Sequence, residues 1–363
     1  MNDVNEELKV RETTTQSDPG AASIAEDVQV TPRPPVLEVK DLTTYYPINR
    51  GLAGRLLGHE AKTVHAVDGV SLRVDAGEFV ALVGESGCGK TSTVMTILGA
   101  TKATSGSVRV KGEEIVGRTP REMLSVYRQL QMIYQDPYGS LDPRFRVSDT
   151  VEEPLLVHGV GATKQERRSL VLAALESAGL SPADLYIDRF PHELSGGQRQ
   201  RVAIATALIL EPSLLLADEP VSMLDVSVRA SVLNLLDELR RTRDMAIVMV
   251  THDLSTAGHF ADRIVVMYLG RIVEEGPAKE VLANPQHPYT KALISVVPKP
   301  DPRDRSTPQT LSGETPNPVD IPAGCRFHPR CPIAREECAK SDPRLRLSVK
   351  VRIESHRVAC HLA

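Results

Sequence analysis

Three continuous apolar runs organise the chain: Phe79-Val-Ala-Leu-Val83, Leu214-Leu-Leu-Ala217 and Ala246-Ile-Val-Met-Val250. None shows the alternation of a half-exposed strand, so each is expected to be covered on both faces, as in a parallel sheet. Between the second and third, Val228, Val232, Leu235, Leu236 and Leu239 recur at helical spacing. Strands alternating with helices predict an α/β fold. Upstream, Val36-Leu-Glu-Val-Lys-Asp-Leu42 roughly alternates apolar and polar, and Val70-Ser-Leu-Arg-Val74 repeats the pattern. Residues 263–275 hold two apolar runs around Leu269-Gly-Arg271, which predicts a hairpin. Pro137, Pro143 and Pro154, followed by a helical pattern over 165–179, mark about 136–195 as a mainly helical insert.

The edges of this pattern differ in character. Residues 1 to about 35 are rich in Thr, Ser, Glu, Asp and Ala and end in Thr-Pro-Arg-Pro-Pro35, the composition of a disordered tail. Residues 48–62 read as an inserted loop. After about residue 285 the chain turns Pro-rich, as a linker would, toward a small C-terminal unit. The expected organisation is a tail (1–35), a main α/β domain (36–286) and a C-terminal extension (287–363).

Composition narrows the function. Hydrophobic residues make up 41% and charged residues 25% of the 363, which suits a soluble globular core. Lys+Arg is 43 against Asp+Glu 47, a net charge of -4 that argues against nucleic-acid binding by the whole chain. No apolar run approaches the roughly 20 residues that span a bilayer, and the polar start lacks the apolar stretch of a secretory signal. Any membrane role is therefore expected to be peripheral.

The chemistry begins at Gly84-Glu-Ser-Gly-Cys-Gly-Lys-Thr91, a G-x-x-x-x-G-K-[ST] phosphate loop between a strand and a helix-forming stretch. Its glycines let Gly84, Glu85, Ser86, Gly87, Cys88 and Gly89 curl their N–H groups around phosphate oxygens. Lys90 is expected to reach the β- and γ-phosphates, and Thr91, followed by Ser92, to ligate Mg²⁺. Cys88 occupies a variable loop position and reads as a tolerated small residue. Asp218 ends the second apolar run and can hold Mg²⁺; Glu219 follows and can act as general base on water. Leu194-Ser-Gly-Gly-Gln198 then offers Ser195 as a helix N-cap, with Gly196 and Gly197 exposing N–H groups to an anion.

A phosphate loop, the Ser-Gly-Gly-Gln pentapeptide and the Asp-Glu strand end, in that order, resemble the ATP-binding subunit of ABC transporters. Within that family the chain is similar to the oligopeptide/dipeptide importer ATPases from about residue 36 onward. The resemblance implies a P-loop NTPase cassette: a RecA-like core sheet, an antiparallel β subdomain and a helical subdomain. It implies that Gln135 is the Q-loop glutamine that touches Mg²⁺ or the water. His252 matches the histidine near the γ-phosphate, and Tyr46 the aromatic that stacks on adenine, with Tyr45 a weaker match. Asp225 closes Ser222-Met-Leu-Asp225, where Met stands in place of the commoner Ala. It further implies that two cassettes close head to tail. Ser195, Gly196, Gly197 and Gln198 of one then meet the ATP held by the other. The implied partners are a second, different ATPase subunit, two integral membrane permeases at the cytoplasmic face of the membrane, and indirectly an extracytoplasmic substrate-binding protein. The solute implied is oligopeptide or dipeptide. Nickel and oligosaccharide importers use similar ATPases. An ATPase acting on nucleic acid or ribosomes is disfavoured, because the stretch between Gln135 and Ser195 is too short for coiled-coil arms and only one cassette is found. A metal-sensing or redox module that uses nucleotide binding as a switch is a third reading, resting on the terminal cysteines alone.

Four cysteines crowd the C-terminal end: Cys325, Cys331, Cys338 and Cys360, spaced C-x₅-C-x₆-C-x₂₁-C. In a reducing compartment clustered thiols point to metal rather than disulfide. The long gaps favour a [4Fe–4S] cluster over Zn²⁺, whose structural sites usually pair cysteines more closely. His328, His356 and His361 are the substitute ligands.

Overall fold

A computed structural model describes residues 34–48, 62–297, 311, 313, 316–348 and 355–363. The expected tail up to residue 33, most of the 48–62 loop and the Pro-rich linker at 298–310 lie outside the described residues. In chain order the strands are β1 (Leu37–Pro47), β2 (Thr63–Val74), β3 (Phe79–Val83), β4 (Ser105–Val110), β5 (Glu113–Glu114) and β6 (Leu130–Ile133). They continue with β7 (Leu214–Asp218), β8 (Ala246–Thr251), β9 (Arg263–Tyr268), β10 (Arg271–Pro277), β11 (Arg346–Leu347) and β12 (Arg357–Val358).

Two sheets result. A four-stranded sheet runs β2-β1-β4-β5, antiparallel at each pairing. Its strands show the partial exposure that their alternation predicts. An eight-stranded sheet runs β11-β12-β10-β9-β3-β8-β7-β6. Its centre, β9-β3-β8-β7-β6, is parallel. Every residue of β3, β7 and β8 is buried, as the unbroken apolar runs require. The hairpin around Leu269 is the antiparallel pair β9–β10.

Register sets the site. Val83 pairs with Thr251, Asp218 with Val250 and Ile133 with Ala217, so β3, β6, β7 and β8 end along one edge. The residues that follow, Gly84, Gln135, Glu219 and His252, therefore share the carboxyl edge of the sheet, where ligands bind in open α/β folds.

The 136–195 stretch carries helices Pro137–Ser140, Val147–His158 and Lys164–Ser177. Val151, Leu155, Val171 and Leu175 are buried in the same core cluster as Val202 and Ile204 of the helix Gly196–Leu208. Pro154 sits inside Val147–His158. Past residue 287 the helix Pro288–Ser295, a turn over 325–331 and the short strands β11 and β12 join the main body. Phe327 is buried against Tyr268 and Tyr289, and β12 pairs with β10.

Candidate active site

The phosphate loop leaves β3 through backbone only glycine accepts. Gly84 (φ 154°) and Gly89 (φ 107°) lie at positive φ. A Cβ on Gly89 would stand 2.1 Å from the Ala66 carbonyl oxygen, and one on Gly84 would stand 2.4 Å from that of Met267. The loop then feeds the helix Lys90–Ile97, and the first N–H groups of a helix have no partner within it and suit an anion. Lys90 is buried, and its ammonium donates to the carbonyls of Gly84 at 2.8 Å and Glu85 at 2.9 Å.

The acidic end of β7 lies beside it. The Thr91 hydroxyl donates to Asp218 Oδ1 at 3.2 Å. Burial pushes the Asp218 carboxyl above its usual range, with the Glu219 charge adding to the rise and the Thr91 bond and Lys90 opposing it. A desolvated carboxylate touching a helix-start hydroxyl is a donor set that suits a hard divalent cation such as Mg²⁺.

Glu219 occupies the left-handed region, φ 45°, a conformation that costs a non-glycine residue energy and recurs at functional sites. Its carboxylate is held from two sides. Gln135 Nε2 donates to Oε2 at 3.1 Å, and His252 Nδ1 meets Oε1 at 3.1 Å. Residues just beyond the ends of β6 and β8 thus converge on the carboxylate that follows β7.

These groups line a cavity of about 590 Å³ that gathers Tyr46, Ser86, Gly87, Gly89, Lys90, Thr91, Ser92, Gln135, Glu219 and His252. Tyr46 faces it; Tyr45 does not, because its hydroxyl donates to Asp68 at 2.6 Å and burial lifts its pKa to about 12. Cys88 is buried beneath the loop, and burial pushes its thiol up. Glu85 does not line the cavity; its carboxylate pairs with the buried Arg330.

The second anion motif is elsewhere in the chain. Ser195 Oγ accepts from Gln198 N at 3.3 Å while Gln198 Oε1 accepts from Ser195 N at 2.9 Å, a reciprocal capping box. Gly197 lies so close to Val228 that a Cβ would stand 2.6 Å from Cγ1. Asp225 caps the neighbouring helix Val226–Arg243, accepting from Val228 N at 2.9 Å. Ser195, Gly196, Gly197, Gln198 and Asp225 form a compact corner but do not line the cavity of their own chain.

The C-terminal cysteines depart from expectation. Cys325, Cys331, Cys338 and Cys360 are free thiols. The first and third are tied by a backbone bond, Cys325 N to Cys338 O at 2.7 Å. Burial raises the thiol pKa of Cys325, and the other three thiols add to the rise. Among the described residues no group of three or more His, Cys, Asp or Glu is arranged to hold a metal. The expected [4Fe–4S] cluster, and Zn²⁺ in its place, thus find no support in the geometry: the thiols gather in one region without forming a ligand set. The substitute histidines are engaged otherwise, His356 with Glu274 at 2.8 Å and His328 with the Cys325 carbonyl at 2.9 Å.

Three contributors were not foreseen. Pro318 completes the cavity wall, the Tyr289 hydroxyl accepts from Glu85 N at 2.7 Å, and Arg330 binds the Glu85 carboxylate. Each reaches the site over more than 200 residues, so no local pattern announces it.

Comparison with known proteins agrees with this layout. Residues 67–222 match the ABC transporter family model, and residues 273–338 match the oligopeptide/dipeptide transporter C-terminal region. The chain is 46% identical over 327 residues to the oligopeptide transport ATP-binding protein OppF of Escherichia coli, covering 90% of this chain and 95% of that one. It is 43% identical over 328 residues to the di/tripeptide transport ATP-binding protein DppF of Pseudomonas aeruginosa, covering 90% and 98%. Among solved structures, the dimeric ATP-binding cassette MJ0796 bound to ADP and Pi superposes with a TM-score of 0.59 at 30% identity, over 67% of this chain and 98% of that one. The chain belongs to the ATP-binding proteins of ABC transporters, in the branch that carries the oligopeptide/dipeptide transporter C-terminal region.

Proposed function

We propose that this chain hydrolyses ATP to drive import of oligopeptides or dipeptides through membrane permeases. The observation that carries the reading is the Glu219 carboxylate held by Gln135 and His252 at the rim of the phosphate-loop cavity. In this reading Lys90 leaves the loop carbonyls for the β- and γ-phosphates, and Tyr46 stacks on the base. Thr91, Asp218 and Gln135 would hold Mg²⁺, which would supply neutralising charge for the phosphate oxygens. Glu219 takes a proton from the attacking water; His252 keeps its carboxylate aimed there.

A single chain supplies only half of the closed site. Ser195, Gly196, Gly197, Gln198 and Asp225 act on the nucleotide of a partner cassette. The capping box ties up the N–H groups of Ser195 and Gln198 and fixes the helix start, leaving those of Gly196 and Gly197 for the partner's anion in a pre-set geometry. That partner is a related, different subunit. The permeases dock where Tyr127, Tyr134, Pro154 and Val157 line a groove of about 390 Å³ between the β6 end and the helix Val147–His158. This placement puts the chain at the cytoplasmic face of the membrane, with an extracytoplasmic binding protein delivering solute. No helix among the described residues is long and apolar enough to cross the membrane itself.

The test is uptake of a labelled tripeptide by cells in which this chain is deleted and then restored. Uptake lost on deletion and recovered with the wild-type chain, but not with Lys90→Ala, is expected. Normal peptide uptake in the deletion would overturn the peptide reading.

A further inference from the structure

The residues from 287 onward do not merely trail from the cassette; they grip its nucleotide loop. Arg330 is buried, and its guanidinium spans both oxygens of Glu85, with Nη1 to Oε2 at 2.8 Å and Nη2 to Oε1 at 3.1 Å. Such a paired, planar contact fixes direction as well as distance. Tyr289 holds the same residue by its backbone, accepting from Glu85 N. Glu85 is the second residue of the loop, and its carbonyl is one of the two that hold Lys90.

The grip is itself braced. Phe327, three residues before Arg330, is buried against Tyr268 and Tyr289, with ring centroids 5.3 Å and 5.5 Å away. At the other end of the same turn, Arg326 binds Asp68 and the Leu269 carbonyl. Asp68 in turn accepts from Tyr45, the neighbour of Tyr46.

We propose that Arg330 is a positioning residue for nucleotide binding: by holding Glu85 it keeps the phosphate loop in the open, phosphate-ready curve. It touches no reacting atom and acts through Glu85. The inference rests on the ATP-binding site described above and extends it to the C-terminal region. Loss of the grip lets the loop sample other conformations. Nucleotide affinity then falls by the fraction of time spent outside the competent one, while chemistry in the bound state is little changed.

The experiment measures the Kd of a fluorescent ATP analogue and the KM and kcat of ATP hydrolysis for the full chain. It compares wild type with R330A, R330K, E85A and the R330A/E85A double variant. R330A is expected to weaken Kd and raise KM about tenfold, the order that a lost hydrogen bond to a charged group carries, with kcat within about twofold. R330K keeps the charge without the fork and falls between. The double variant should be no worse than the poorer single one, since both remove one interaction. If R330A does not fold, R330K and E85A carry the comparison. Wild-type Kd in any folded Arg330 variant, or additive losses in the double variant, overturns the proposal. K90A is the control. If K90A loses binding while Arg330 variants keep it, the positioning role alone fails; if K90A retains binding, the site reading fails with it.

Discussion

The Gln135 amide donates to the Glu219 carboxylate at 3.1 Å, joining the end of one parallel strand to the end of the next. His252 approaches the other oxygen at the same distance, so Glu219 has no free orientation in this state. In the proposed reaction Glu219 is the base, and this restraint would hold it toward the attacking water.

His252→Ala is therefore expected to lower phosphate release by about 10²-fold or more, within the range that acid–base groups supply, while ATP binding persists. Parallel measurement of turnover and of nucleotide Kd checks this. Loss of binding together with turnover would place His252 in substrate affinity instead.

Asp218→Asn addresses the raised carboxyl. A buried acid whose pKa is raised in the folded state favours its protonated form. Its stabilising contribution is full below the unfolded value and is lost as pH rises through the folded one. At neutral pH the neutral amide should thus raise the Tm of the nucleotide-free chain, and remove the extra Tm that Mg²⁺ with ATP confers. Differential scanning fluorimetry with and without Mg²⁺ reads both.

Gly89→Ala tests the loop's backbone. The new methyl would meet the Ala66 carbonyl at 2.1 Å in a positive-φ conformation. Overpacking of this kind costs about 1–3 kcal/mol or more, and here the neighbour is backbone that cannot step aside. ATP binding should be lost, measurable by filter retention, with a lower Tm.

His287 carries a pH dependence of the C-terminal region. It is buried, and burial lowers its pKa to about 4, while Glu274 pulls the other way. A histidine depressed in the folded state stabilises fully above its unfolded value near 6.5, and that stability falls as pH drops toward 4. Nδ1 accepts from Tyr289 N at 3.1 Å, capping the helix that bears the Tyr289 contact to the loop. His287→Asn keeps a capping acceptor and removes the titration. Its Tm-against-pH curve should be flatter than wild type between pH 6.5 and 4.

Much of this was written in the sequence. β3, β7 and β8 follow from unbroken apolar runs, because strands buried on both faces leave no polar positions. The loop from Gly84 to Thr91 follows from glycine spacing. Other parts left no such trace. β4 and β6, Ser-Gly-Ser-Val-Arg-Val110 and Leu-Gln-Met-Ile133, are short and mixed, and were not anticipated. β2 begins at Thr63, well before the Val70 expected, because its first half faces partly into solvent. The thiol spacing pointed to a metal, but spacing says nothing of how four side chains are aimed. The Arg330–Glu85 contact joins residues 245 positions apart, and tertiary pairing at that range has no periodicity to read.

The most direct test of the account is single-turnover phosphate release by Glu219→Gln beside its Kd for ATP. The change keeps the shape and removes the base, so hydrolysis should fall by about 10²–10⁴-fold with ATP still held. Hydrolysis at the wild-type rate in that variant would show that another group activates the water and would contradict the assignment.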